Sequence, residues 1–396
     1  MRRKTFKNFA LRLVLIFMGS AFALGISEIA LRIMVPDYLA YAGIERNFFC
    51  KFDPELGWSP LPDVTAQHLQ NGFSTFVHQN QYGLRGSDSD SKTKNSSNHR
   101  VLVLGDSYAW GYGVNQNEMF TNPQIHKSSQ DLLNFGVSGY GTDQEYLFYL
   151  RNGLEFDVDE VVLVFTPYND VISNLEEKQY GYLKPYFKII EGELVLFQDH
   201  IHDMIGRNLI NQIRFHSRLV NTIERAYRTY RNSQKYRKNI NDTSVARKRV
   251  FKEIKLSERD EEGIEITAKI IAALQKSVQR HGASFSVIFI PYKPHIIKKK
   301  DKNHPLVEKL SRELEKYAID YYEPYYMFLN QEKTGIQLYN DFDNHFSPSG
   351  HSLFAKIFTD PAIRESIHNY YKRDNRLSDN KLQSCGSLTA IRTECI

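Results

Sequence analysis

Two unbroken apolar runs, Val101-Leu102-Val103-Leu104 and Val161-Val162-Leu163-Val164-Phe165, constrain the fold of this chain most tightly. Neither alternates polar with apolar residues, so each reads as a strand covered on both faces. Segments 132–137, 285–290 and 319–322 read as further strands. Helical patterns fall between them. Thr142 and Glu145 match a T-x-x-E capping box that opens a helix ending near Gly153. Residues 261–281 carry Ile270, Ile271, Leu274 and Val278 at helical spacing, with Gly282 as the stop. Helices are also expected over 305–317 and from Ser349 onward. This alternation predicts a three-layer α/β/α fold around a parallel sheet. Chemistry in such sheets gathers in loops at the carboxyl ends of the strands.

Several segments flank or interrupt this pattern. Residues 36–86 are rich in Gly, Pro and aromatics, with Gly57-Trp58 and Asn80-Gln81-Tyr82-Gly83-Leu84-Arg85-Gly86, and predict short strands and turns. Residues 87–99 are almost purely polar, as in a linker or exposed loop. The expected organisation is a basic flank and apolar segment over 1–35, the strand-and-turn segment with its linker over 36–99, an α/β domain over 100–372, and a polar tail over 373–396. An aromatic and basic insertion, 179–259, interrupts the domain. It interleaves Arg225, Arg228, Arg231, Lys235, Arg237 and Lys238 with Tyr227, Tyr230 and Tyr236. A solvated helical face explains that pattern, as does contact with anionic glycan or lipid head groups. The net charge of +5 does not by itself imply nucleic-acid binding, and none is expected. Three cysteines are too few for a disulfide scaffold. Cys385 and Cys395 either bridge in an oxidising compartment or stand as surface thiols, with Cys50 left over.

The N-terminus starts with Arg2, Arg3, Lys4 and Lys7, followed by an apolar stretch over 9–35 that is cleanest over 13–26. A span needs roughly 20 residues, and Arg12 and Glu28 can snorkel to the interfaces. A single-pass anchor with a cytoplasmic N-terminus and the remaining chain outside is the leading expectation. A cleaved signal peptide, with Ala21-Phe22-Ala23 as its cleavage pattern, and a buried core helix are the alternatives.

Gly105-Asp106-Ser107 follows the first strand directly, where a tight turn can aim the serine hydroxyl out of the sheet. Serine needs a base, because its hydroxyl is hardly ionised at neutral pH. The segment Asp341-Phe342-Asp343-Asn344-His345 supplies a histidine with a carboxylate to hold its tautomer and stabilise its charged form. Asp341, Asp343 and His351 also permit a metal reading, but no further ligand cluster accompanies them, and no metal or cofactor is expected. An oxyanion needs donors. Asn134-Phe135-Gly136-Val137-Ser138-Gly139 ends the second strand and can offer a glycine N–H; Thr166-Pro167-Tyr168-Asn169-Asp170 ends the third and can offer a side-chain amide.

Ser, Gly and Asn at three consecutive strand ends, with a C-terminal Asp-x-His, resemble the GDSL/SGNH hydrolase superfamily in its membrane-anchored bacterial form. The resemblance covers residues 100–357. It implies a flavodoxin-like domain that acts on esters without a cofactor. It implies Ser107 as nucleophile and first oxyanion donor, Gly139 and Asn169 as the other donors, His345 as base and Asp343 as its orienting acid. Two departures stand out. Pro167-Tyr168 precede Asn169 where the family often has glycine, so the aromatic ring would narrow the pocket or displace Asn169. The D-x-H spacing, where many members have D-x-x-H, leaves Asp341 as an alternative and is similar to that of polysaccharide O-acetyltransferases. The implied activity is hydrolysis of an ester, on a small molecule or on a cell-surface or secreted glycan. An acyltransferase with the same triad and a multispan membrane partner is the second reading, and a non-catalytic glycan-binding protein the third.

Overall fold

The computed structural model describes residues 2–34, 49–70, 73–94, 97–127, 129–180, 182–204, 217–220, 222–223, 226–227, 256–300 and 304–368. It begins with helix α1 (Arg2–Met34). Two antiparallel hairpins follow, β1 (Cys50–Asp53) with β2 (Gly57–Pro60), and β3 (Val64–Gln70) with β4 (Phe73–Gln79).

The central sheet has five parallel strands: β5 (Arg100–Gly105), β6 (Asp131–Gly136), β7 (Glu160–Phe165), β12 (Ser284–Phe289) and β13 (Asp320–Tyr322). Their spatial order is β13-β12-β7-β5-β6. By order of appearance this is the flavodoxin-like 2-1-3-4-5 arrangement, whose switch point lies between β5 and β7. The expected fold class is what forms.

The double burial read from the apolar runs has a plain cause. Alternate residues of each strand point to opposite faces. Leu102, Leu104, Leu163, Phe165, Val287 and Phe289 meet α4 (Thr142–Asn152), α6 (Glu258–Arg280) and α8 (Pro305–Lys316) on one face. Val101, Val103, Val162, Val164 and Ile288 meet α9 (Tyr325–Lys333) and α10 (Pro348–Thr359) on the other. Short helices α2 (Ser107–Trp110), α3 (Pro123–His126), α5 (Pro167–Ser173) and α7 (Lys293–Ile297) sit in the loops between.

One expected cap is not made. Gly141 rather than Thr142 is the N-cap of α4, and the Gln144 side chain accepts from the Gly141 N–H at 3.3 Å. Glycine has no side chain to complete a box, so only this half of it is made, one residue earlier. Glu145, freed from capping, is buried at 1% exposure. Helix α6 starts earlier than expected because Ser257 caps it through Asp260.

The first part of the insertion forms two hairpins, β8 (Lys178–Gln179) with β9 (Tyr182–Leu183), and β10 (Tyr186–Ile190) with β11 (Glu193–Phe197). The second packs Phe187 against Ile266 and Ile270 of α6. Tyr227 is described and exposed. Arg225, Arg228, Tyr230, Arg231, Lys235, Tyr236, Arg237 and Lys238, and the Cys385/Cys395 pair, lie outside the described residues. Helix α1 contains a stretch, Leu11–Met34, long and apolar enough to cross a membrane, and its apolar side chains are exposed. That exposure removes the reading as a buried core helix.

Candidate active site

The serine turn is set by close backbone approach. A Cβ on Gly105 would lie 2.7 Å from the Ala109 Cβ, and one on Gly136 would lie 2.4 Å from the Trp110 N. Glycine at both strand ends lets α2 sit directly on the sheet. Asp106 caps α2, its Oδ1 accepting from the Tyr108 N–H at 2.9 Å. Ser107 is thereby the first residue of α2, at the carboxyl end of β5 and beside the switch point.

The histidine arrives from the far end of the chain on a closed loop. A bridge joins Tyr339 to Phe346, and Asn340 spans the loop through its N–H to the His345 carbonyl (2.9 Å) and its Nδ2 to the Phe346 carbonyl (3.0 Å). Lys293 Nζ donates to the carbonyls of Asn340 (2.6 Å) and Asp343 (2.5 Å). Asp343 Oδ1 accepts from the His345 backbone N–H at 2.9 Å, and its Oδ2 lies 2.9 Å from His345 Nδ1. His345 Nε2 is 2.7 Å from Ser107 Oγ. The three side chains form one hydrogen-bonded chain, bidentate at the carboxylate.

Two tyrosines hold the imidazole. Tyr112 stacks on it with centroids 4.4 Å apart, and Tyr108 packs on it at 4.9 Å while its hydroxyl donates to the Asn344 carbonyl (2.5 Å). Asp341 is exposed and takes no part. His351 is buried on α10, where its ring lies parallel to that of Phe120 and its Nδ1 accepts from the Phe120 N–H at 3.4 Å. Burial first, then the charges of Arg85 and His345, push it down to about 3. It is held neutral and turned to the core. Among the described residues, no group of three or more metal-binding side chains forms.

Asn169 is in α5, at the end of β7, and its Nδ2 donates to Asp106 Oδ2 at 3.3 Å, next to the serine. The neighbouring Tyr168 ring packs on Tyr292 with centroids 3.9 Å apart and edge-on against His304. Gly139 lies in the turn after β6 with φ +82°, a conformation favouring glycine. Asn134 points elsewhere, donating to the Ala109 carbonyl at 2.8 Å to tie β6 to α2.

Behind the serine lies a buried acidic layer. Asp143 and Lys184 form an ion pair with both side chains fully buried. Burial pushes Glu145 well above the usual carboxylate range, and the charges of Asp170, Asp106 and Asp143 push it further. Asp170 is raised for the same two reasons. Asp106 is raised by burial, against the opposing Tyr108 hydrogen bond and the charge of His345.

Several supporting residues carried no signal of their own in the sequence. Trp58, in the β1–β2 hairpin, donates from Nε1 to the Ser138 carbonyl at 3.3 Å, and its own carbonyl accepts from the Tyr140 hydroxyl at 2.6 Å. Both bonds bracket Gly139. Arg85 is buried and gathers the carbonyls of Trp110 (2.9 Å), Gly111 (2.5 Å) and Val114 (2.6 Å) beyond the serine helix. Phe73, the first residue of β4, packs on Tyr112 (5.2 Å) and on Phe342 (5.0 Å), extending the aromatic wall of the histidine.

No protein-family model matches the chain, and no curated protein matches it. It is similar to solved structures at low identity. A member of the lipolytic protein G-D-S-L family from Veillonella parvula is 12% identical over 67% of this chain and 98% of that one, with TM-score 0.35. The acetyl xylan esterase AlAXEase is 11% identical over 65% and 96%, with TM-score 0.35. Axe2, an acetylxylan esterase from Geobacillus stearothermophilus, is 10% identical over 66% and 93%, with TM-score 0.34. In the order of its motifs, the strand ends that bear them and the side chains they bring together, this chain resembles the GDSL/SGNH hydrolase superfamily.

Proposed function

We propose that this chain is a serine esterase of the SGNH type that hydrolyses ester bonds, O-acyl groups of a cell-surface or secreted glycan being the intended substrate class. The unbroken chain from Ser107 Oγ through His345 to Asp343, with links of 2.7 and 2.9 Å, is the observation that carries this reading. The Asp343 carboxylate accepts from the His345 Nδ1–H, which leaves Nε2 as the acceptor for the serine proton. Attack of Oγ on the ester carbonyl carbon sends that proton to Nε2 and opens the carbonyl π bond onto its oxygen. The N–H groups of Ser107 and Gly139 and the second Nδ2–H of Asn169 are the proposed donors to that oxyanion. Collapse expels the alcohol, which takes the proton from Nε2, and leaves Ser107 acylated. Water then loses a proton to His345 Nε2 and attacks the acyl carbon; the acyl–Oγ bond breaks, Oγ takes that proton back from Nε2, and the acid leaves free Ser107.

On this reading α1 is a single-pass membrane anchor with its basic flank in the cytoplasm, and the catalytic domain lies outside. The D-x-H arrangement found at Asp343 and His345 keeps the transferase reading in contention, since both reactions share the acyl-enzyme. The acceptor separates them. The purified chain is given an activated acetyl ester with and without an oligosaccharide, and the acyl group is followed by mass. Free acid as the main product supports the hydrolase. Acylated sugar with free acid at the background rate replaces it with the transferase.

A further inference from the structure

Glu28 stands alone as an acid in the apolar stretch Leu11–Met34, and it is not left bare. Its carboxylate accepts from the Ser217 hydroxyl at 3.0 Å and from the backbone N–H groups of Arg218 (3.0 Å) and Leu219 (2.9 Å). Arg32 adds a fourth partner at 2.9 Å. Residues 218–220 are helical. Glu28 thus does for this segment of the insertion, 189 residues away, what an N-cap acid does for its own helix.

The depth of this contact follows from helix geometry. With a rise of about 1.5 Å per residue, Glu28 lies about 25 Å beyond Leu11. If α1 spans, that is the level of the outer interface, where a carboxylate and its partners can be satisfied. The segment it holds is amphipathic. Val220, Ile223 and Tyr227 recur at helical spacing, and Ile223 and Tyr227 are each 61% exposed. In the sequence, Arg218, Arg225 and Arg228 recur at the complementary spacing. Basic residues opposite an apolar stripe are the composition of a helix lying in a membrane surface.

We infer that the segment starting at Ser217 docks into the outer lipid–water interface, with Glu28 as its tether to the transmembrane helix. The inference rests on the reading of α1 as a span. It gives the catalytic domain a second attachment to the membrane beside α1.

Tryptophan fluorescence in nanodiscs tests it. The full chain is placed in phosphatidylcholine–phosphatidylglycerol bilayers, with ordinary or brominated acyl chains. The native Trp58 and Trp110 are buried and give a constant background. Ile223→Trp should add emission that the brominated lipid removes. Phe22→Trp, at an exposed position of α1, reports on the span itself. Quenching at 22 but not at 223 overturns the docking and leaves the anchor standing. Quenching at neither position overturns both. Blue-shifted but unquenched emission at 223 assigns that face to protein instead of lipid and also overturns the docking. Adding Glu28→Ala to Ile223→Trp should cost most of the quenching at 223 while quenching at 22 persists. Undiminished quenching at 223 in that double variant overturns the tether.

Discussion

At the residue scale the account depends on which carboxylate serves His345. Asp343 touches the imidazole and the backbone N–H of the same histidine, so one side chain sets both the tautomer and the turn of the loop. Asp341, two residues earlier, is exposed. Asp343→Ala should therefore lower kcat by several orders of magnitude with little change in KM, because only the transition state needs the charged imidazole. Asp341→Ala should stay within a few-fold of the parent. Steady-state kinetics on both variants check this, and a reversed ranking would move the triad to Asp341. His351 gives a prediction of a different kind. Its folded state is held neutral, at about 3, whereas the unfolded histidine titrates near 6.5. Between those values the unfolded chain binds one more proton. This group's contribution to stability is complete above about pH 6.5 and falls by about 1.4 kcal/mol per pH unit below it. His351→Gln keeps an acceptor for the Phe120 N–H and removes the titration. Urea unfolding of the solubilised chain should show a flatter loss of stability from pH 6 to 4 in the variant. Equal slopes would mean that His351 is not held neutral.

At the scale of elements, the strands were legible and their supports were not. The runs at 101–104 and 161–165 could be read directly because burial on both faces leaves no polar residue to blur the pattern. Ser107 stood out because it follows a recognisable strand, and the Asp343–His345 pair because it precedes a recognisable helix. The segment 49–86 was less legible. Its strands are short, and each of its important contacts reaches far along the chain: Trp58 to Ser138, Arg85 to Val114, Phe73 to Phe342. Local periodicity carries no trace of such pairings. The T-x-x-E motif misled for a related reason. The Gln144 side chain reaches the Gly141 N–H one residue earlier, and Glu145 is buried instead of capping. The β1–β2 hairpin gives the element-scale prediction. Trp58→Phe keeps the ring and loses the Nε1–H that holds the Ser138 carbonyl, a hydrogen bond worth about 1 kcal/mol. If that bond positions Gly139, kcat should fall about fivefold while KM holds. A change confined to thermal stability would reduce Trp58 to packing.

At the scale of the whole molecule, the chain joins an exposed apolar helix to an α/β domain with Ser107 at the end of a strand beside the switch point of the sheet. The basic flank at Arg2, Arg3, Lys4 and Lys7 sets the expected direction of the span. A C-terminal alkaline-phosphatase fusion should be active in intact cells, and a C-terminal green-fluorescent fusion dark. The opposite pattern would place the triad in the cytoplasm and remove extracytoplasmic glycans from the substrates considered. Orientation bears on which ester is reached. It leaves the chemistry at Ser107 untouched, which needs its own measurement.

That measurement is the hydrolysis of an activated acetyl ester by the purified chain and by Ser107→Ala, with the intact protein mass recorded during turnover. The parent should release free acid and carry one transient acetyl group, mapped to Ser107. The variant should do neither, although its fold is kept, since Ser107 is the partly exposed first residue of α2 and, among the described residues, its Oγ hydrogen-bonds to His345 alone. Undiminished hydrolysis by Ser107→Ala, or an acetyl group mapped to another residue, would contradict the serine-esterase account.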